Sequence, residues 1–206
     1  MKNIFTILAL TIGFSMNAQF WFQGFGPGAI RTYGTEASGF YSTAMGESTS
    51  AMGDFSTAMG YGTTAMGYYS TAMGRYTTAM GYYSTAMGRY TTASGNYSVA
   101  MGEGSTANGD FSTAMGRYTT AMGDYSVAMG EGSTANGDFS TAMGRSTTAS
   151  GDVSTAMGRS TTASDYASLV IGQYNSSGSS ATSATSFDTA NTAFVIGNGV
   201  DGSTTS

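Results

Sequence analysis

The amino-acid sequence predicts an all-β solenoid built from 14-residue coils. Three observations carry this: an Ala at every seventh position, a Gly two residues after it, and a large apolar residue beside the Ala in alternate heptads. The Ala series runs from Ala37 through Ala44 and Ala51 to Ala163, with Val170 in the next slot. The Gly series runs from Gly39 to Gly158, and Asp165 breaks it before Gly172. A seven-residue period also belongs to coiled coils. Here each Gly would cost a helix about 1 kcal/mol relative to Ala, Thr is frequent, and the flanking charges that pair such helices are missing. The helical alternative is therefore rejected.

The coil length follows from separating alternate heptads. In one set the residue after Ala is always large and apolar: Met45, Met59, Met73, Met87, Met101, Met115, Met129, Met143, Met157 and Ile171. In the other set it drifts to Ser38, Ser94, Asn108, Asn136, Ser150 and Ser164, with Met elsewhere. The first set has Ser two positions before Ala, from Ser42 to Ser168, where the second has mostly Thr. Two unlike strands therefore alternate, and the repeating unit is 14 residues. Side chains of a strand alternate between faces. In Ser-Thr-Ala-Met-Gly, Ser and Ala share the inner face, Thr and Met the outer, and Gly is expected to turn the chain. The interior is expected to be too thin for anything larger than Ser and Ala. Ten coils at about 4.8 Å make a rod about 45 to 50 Å long.

An outward column of ten apolar side chains is too regular an exposed stripe for a monomer. Covering each is worth roughly 1.5 to 3 kcal/mol. The first-set strands are thus expected to face other copies of the chain, through the ten residues above together with Val99 and Val127, while the second-set strands face water. The alternative is that Met folds back over its own chain.

Composition narrows the chemistry. The chain has no His and no Cys, which removes the usual metal ligands, thiol nucleophiles and imidazole bases. The remaining carboxylates, hydroxyls and Arg recur with the repeat instead of converging on one site, so neither catalysis nor a cofactor is expected. Lys2 followed by the apolar run Ile4 to Phe14 and Ser15-Met16-Asn17-Ala18 reads as a Sec leader, residues 1–18, cleaved before Gln19. A transmembrane anchor is the alternative, but about twenty apolar residues are needed to cross a bilayer, and no segment of the mature chain approaches that. Loss of Lys2 makes an already acidic chain more so, and no basic tract suggests nucleic acid.

Stacking the coils turns positions into columns. Tyr41, Phe55, Tyr69, Tyr83, Tyr97, Phe111, Tyr125 and Phe139 form an aromatic column at the turn before each first-set strand, read as a structural ladder or, alternatively, a ligand surface. At the opposite turn Arg89, Glu103, Arg117, Glu131 and Arg145 alternate in sign coil by coil, a charge ladder that penalises a one-coil slip. Tyr76, Tyr90 and Tyr118 accompany them and, with Trp21 and Phe22, are candidates for a ligand surface. Asp110, Asp124, Asp138 and Asp152 stack four like charges, read either as turn residues or as a calcium column. The Thr column from Thr64 to Thr162 has the look of an ice-binding array, with mixed neighbours.

Residues 19–35 hold the only Trp and Pro and are expected to cap the open end, or to form a binding tip. The roll proper is assigned to residues 36–172. Residues 173–206, rich in Ser and Thr, carry Ala193-Phe194-Val195-Ile196-Gly197, an echo of Val170-Ile171-Gly172. This is expected to be an excursion loop, then a final coil or neck that continues into a C-terminal module.

The unit Tyr97-Ser98-Val99-Ala100-Met101-Gly102-Glu103-Gly104-Ser105-Thr106-Ala107-Asn108-Gly109-Asp110 resembles the YadA-like head repeats of trimeric autotransporter adhesins, as do Ser126-Val127-Ala128-Met129-Gly130 and Ser168-Leu169-Val170-Ile171-Gly172. The resemblance implies a left-handed parallel β-roll and a homotrimer. Met stands where those repeats favour Ile, which makes for a softer interface. By this resemblance the function expected is a secreted or outer-membrane-associated adhesin head contacting a host, matrix or cell-surface protein or glycan. A passive spacer is the alternative.

Overall fold

The computed structural model describes residues 22–175 and 183–199, so the leader and Trp21 lie outside the described residues. Each 14-residue coil contributes one five-residue strand and one two-residue strand, for example Thr85–Arg89 and Thr92–Ala93. Among the described residues, eleven five-residue strands join Phe22–Gln23 and Ile30–Arg31 in one sheet of thirteen, and the other short strands form a sheet of ten. Pairing between coils is parallel and offset by one coil length: Thr85 lies against Val99, Met87 against Met101, and Thr92 against Thr106. The chain is a parallel β-solenoid, with no α-helix among the described residues.

Small side chains let the two sheets close on each other. The Ala column from Ala37 to Ala163 is sealed from solvent, as are the Ser residues of the long strands. The interior is wider than Ser and Ala alone require. It also takes Thr49, Thr63, Thr77, Thr91, Thr119, Thr147 and Thr161 from the short-strand side. Ser on one wall leaves room for Thr on the other, so the unlike heptads fit each other across the core.

Only half of the glycines act as the turn that the repeat suggests: those after the short strands open a turn, as where the Ser56 N–H donates to the Gly53 carbonyl at 3.2 Å. In the long strands glycine lies within the strand, where Gly60 and Gly88 have φ of +124° and +117°. A Cβ on Gly81, in the other column, would stand 1.9 Å from the Gly95 carbonyl oxygen one coil away. Gly is needed there because successive backbones approach too closely for any side chain.

The corners use a left-handed residue. Tyr69, Tyr83 and Tyr97 have φ of 56° to 57° on one side, and Tyr76 and Tyr90 have 54° and 55° on the other. This conformation aims each N–H along the roll, so that Tyr69 donates to the Asp54 carbonyl at 2.9 Å and Tyr76 to the Tyr61 carbonyl at 2.8 Å. A left-handed non-Gly residue costs roughly 1 to 2 kcal/mol. Stacked aromatic pairs return about 0.5 to 1.5 kcal/mol each, which is why rings suit the position.

The ends are closed by different means. At the start, Phe22–Gln23 pairs antiparallel with Ile30–Arg31, which in turn pairs parallel with Thr43–Ala44. At the far end Phe194–Asn198 joins the long-strand sheet beside Leu169–Gln173, in register Leu169 to Phe194. Among the described residues no short strand follows Thr162–Ala163. Instead the Asn175 side chain accepts from the Thr162 N–H at 2.7 Å and donates to the Thr162 carbonyl at 2.9 Å, imitating a backbone. Asp165, buried where the Gly column breaks, accepts from the Thr192 N–H at 2.9 Å and ties the returning segment down.

The interior hydroxyls differ in partners. Thr119 donates to Ser105 at 2.9 Å and Ser105 to the Gly116 carbonyl at 2.9 Å, whereas the Thr63 hydroxyl has no partner. An unpaired buried hydroxyl is destabilising relative to a methyl of the same shape. Thr63→Val should therefore stabilise the roll or leave it unchanged, while Thr119→Val should cost about 1 kcal/mol. Thermal melting followed by circular dichroism distinguishes the two.

Candidate functional site

The chemistry-bearing residues lie in columns along the two corners and the outward sheet faces. At the corner before the long strands, eight rings from Tyr41 to Phe139 form a continuous stack, with centroids 4.7 to 5.4 Å apart and planes within 16°. Tyr68 stands edge-on to this stack, 88° from Tyr69 and 81° from Phe55. With Tyr82, which is 61% exposed, it widens the aromatic surface in the first half of the roll. Burial of the Tyr68 phenol, followed by a hydrogen bond to Tyr69, raises its pKa above the ordinary value.

In the second half the residue beside the ring is Asp, and it has a backbone task. Asp110 donates its N–H to Asp124 Oδ1 at 2.8 Å, Asp124 to Asp138 at 2.9 Å, and Asp138 to Asp152 at 2.9 Å. Asn96 occupies the same column and does the same work for Tyr82 at 3.0 Å. Each carboxylate thus accepts from the coil before it.

The opposite corner brings opposite charges together. Arg89 Nη1 lies 3.0 Å from Glu103 Oε1, and Arg117 reaches Glu103 at 3.8 Å and Glu131 at 3.1 Å. Arg145 lies 3.7 Å from Glu131. These side chains are half exposed, so each pair contributes at most about 1 kcal/mol. Arg75, in the same column, forms no ion pair among the described residues and lies against Tyr61 and Tyr76, 5.9 and 5.2 Å from their centroids. Tyr76 and Tyr90 stack at 5.2 Å, and Tyr61 meets Tyr76 edge-on at 86°. A hydrogen bond to Tyr76, ahead of charge effects, pushes the Tyr61 phenol above its usual pKa. Tyr118 stands apart from this pair, with Arg117 4.9 Å over its ring, because Gly104 replaces the aromatic between it and Tyr90.

Sequence reasoning missed one signal at this corner. Gly62 and Gly104 sit where a ring would otherwise stand, and a Cβ on either would fall 2.7 or 2.5 Å from Cδ1 of Tyr76 or Tyr118. The Gly-x13-Tyr spacing marks the coils where a ring folds down over the preceding one.

On the long-strand sheet the outward column of Met45, Met59, Met73, Met87, Met101, Met129, Met143, Met157 and Ile171 is half-buried in the single chain, and Met115 is 37% exposed. Val99 and Val127 occupy the adjoining outward column, also half-buried. On the short-strand sheet Met52, Met66, Met80 and Met122 are 40 to 47% exposed. The Thr column there runs in register from Thr64 to Thr162, but its neighbour alternates among Met, Ser and Asn. Phe22 contributes only its backbone to the described structure, in the first strand.

A parallel solenoid whose coils repeat Ser-x-Ala-Met-Gly in strict register belongs to the β-roll head class of surface proteins. The YadA head domain repeat matches residues 37–63, 65–91, 81–102, 93–119, 121–147 and 149–175, more than half of the sequence, and the chain belongs to that family. The family is typical of trimeric autotransporter adhesins, exposed at the cell surface and associated with the outer membrane. No curated protein matches the chain. No helix among the described residues is long and apolar enough to cross a membrane.

The acidic column gives a direct test. Asp124→Asn keeps the oxygen that accepts from Asp110 and removes one of a row of like charges, so its melting temperature should equal or exceed that of the wild type at low salt. Asp124→Ala loses the acceptor and should melt lower by about 3 °C. Calorimetry of the two variants side by side reads the difference.

Proposed function

We propose that the chain is a secreted, surface-exposed head, exported behind residues 1–18, which assembles as a homotrimer and mediates attachment to a host, matrix or cell-surface protein or glycan. The observation that carries this reading is the in-register apolar column on the outer face of the long-strand sheet, from Met45 to Ile171. Membership of a family of trimeric adhesins supports three copies around one axis and a left-handed winding. Catalysis is not part of the proposal: the family's repeat is of the structural, adhesin type, and the charged groups recur in columns along the roll.

A second reading, a passive spacer, is favoured by the same economy: the Asp carboxylates, the left-handed rings and the Arg and Glu ladder all have partners within the chain. Purified heads that hold to no matrix protein, glycan or cell would make the spacer reading the correct one.

Assembly has its own readout. Light scattering at micromolar concentration should give three times the chain mass. Replacing Met101 and Met115 together by Glu should give monomers that keep their β spectrum, since burying unpaired carboxylates at a seam is costly. Peroxide should oxidise Met52, Met66, Met80 and Met122 before the long-strand methionines. A wild-type monomer would end the trimer proposal.

A further inference from the structure

The charge along the roll is unevenly divided. Between Asp54 and Glu103 the sequence contains no carboxylate and only two charges, Arg75 and Arg89, among nine aromatic residues. Carboxylates then return at Glu103, Asp110, Asp124, Glu131, Asp138 and Asp152. The fold converts this stretch into a compact corner, because Arg75 and Arg89 are register partners on adjacent coils, about 4.8 Å apart. Arg89 shares its charge with Glu103 at 3.0 Å, while Arg75 has no ion pair among the described residues. Both guanidinium groups lie beside rings: Arg75 against Tyr61 and Tyr76, Arg89 4.9 Å from the centroid of Tyr90. The three rings are 39 to 48% exposed.

We infer that the corner formed by Tyr61, Arg75, Tyr76, Arg89 and Tyr90 binds an acidic polysaccharide, a chain of sugar rings bearing carboxylates. The inference rests on the attachment reading above and names its ligand class. Exposed phenol rings offer an apolar face to the C–H side of a sugar and hydroxyls to its polar edge. A guanidinium held against a ring presents its fork to a carboxylate as a bidentate donor. Two like charges on neighbouring coils repel each other, and an anion bridging them removes that penalty. Farther along the column Arg117 is neutralised by Glu on both sides, so the same residue type lacks this capacity there.

Charge density favours a sugar over nucleic acid. Duplex DNA carries one charge per roughly 1.7 Å of axis, and a chain of net charge −5 with two Arg at the corner is poorly matched to it. A polyuronate is more sparsely charged and brings the apolar ring faces that the tyrosines suit.

The test uses the full secreted chain in its assembled form and an oligomer of uronic acids, titrated by calorimetry beside a neutral glucan oligomer and a single-stranded DNA of similar length. The uronate should bind, and more weakly as salt is raised. Arg75→Gln combined with Arg89→Gln should lower its affinity about tenfold or more. Tyr90→Leu should weaken it too, and Arg117→Gln, at a position paired with Glu on both sides, should leave it unchanged, with circular dichroism showing that each variant keeps the β-roll. Absence of uronate binding, equal binding of the neutral glucan, tighter binding of the DNA, or indifference to the double Arg replacement would each overturn the inference. Heads that hold to cells or matrix but ignore the uronate sink the acidic-sugar inference alone. Heads that hold to nothing sink the attachment reading with it.

Discussion

Everything in this structure depends on how closely one coil lies on the next. At both Gly columns a single added carbon would fall about 2 Å from a carbonyl oxygen of the following coil, as at Gly74 against Gly88 and Gly123 against Gly137. Such contact leaves no freedom in register. Once the backbones are locked one coil apart, every position becomes a column, and identical residues must either tolerate or use their own repetition. Alanine tolerates it inside, where small side chains let the two sheets close. Aromatic residues use it at the corners, where each ring meets the next at strand spacing.

Charge responds to the same constraint in two ways. The Arg and Glu column alternates sign from Arg89 to Arg145, so each side chain has an opposite partner above or below it. The Asp column does not alternate, and like charges stacked at coil spacing repel. It persists because each carboxylate also holds the N–H of the coil before it, a bond that Asn96 makes without the charge. Position within the coil, not charge alone, decides which of these arrangements is stable.

Among the described residues of such a roll, the charged and aromatic side chains lie in rows along its edges, and the rows differ where a column is interrupted. The corner around Arg75 differs from the one around Arg117 in having Tyr61 and Arg89 where Arg117 has Glu103 and Glu131, and in its ring stack. Those substitutions in an otherwise uniform lattice are enough to give one stretch a distinct chemistry.

The parallel solenoid, the 14-residue coil and the inward Ser and Ala were legible in the sequence, because a period of fourteen with alternating faces has few other physical solutions. The family resemblance was equally legible in Ser-Val-Ala-Met-Gly. Three features were not. Thr inside the coil could not be inferred, since the width of the interior depends on both walls together. The placement of Gly within the long strand, and of the turn at the left-handed residue beyond it, depends on which carbonyl lies beneath, a contact between residues fourteen apart. The amide of Asn175 standing in for a missing strand, and Asp165 anchoring the returning segment, arise where the repeat ends and periodicity no longer constrains the chain. Local pattern determined the coil, while the distances between coils decided which residues pair within the roll and which are left exposed.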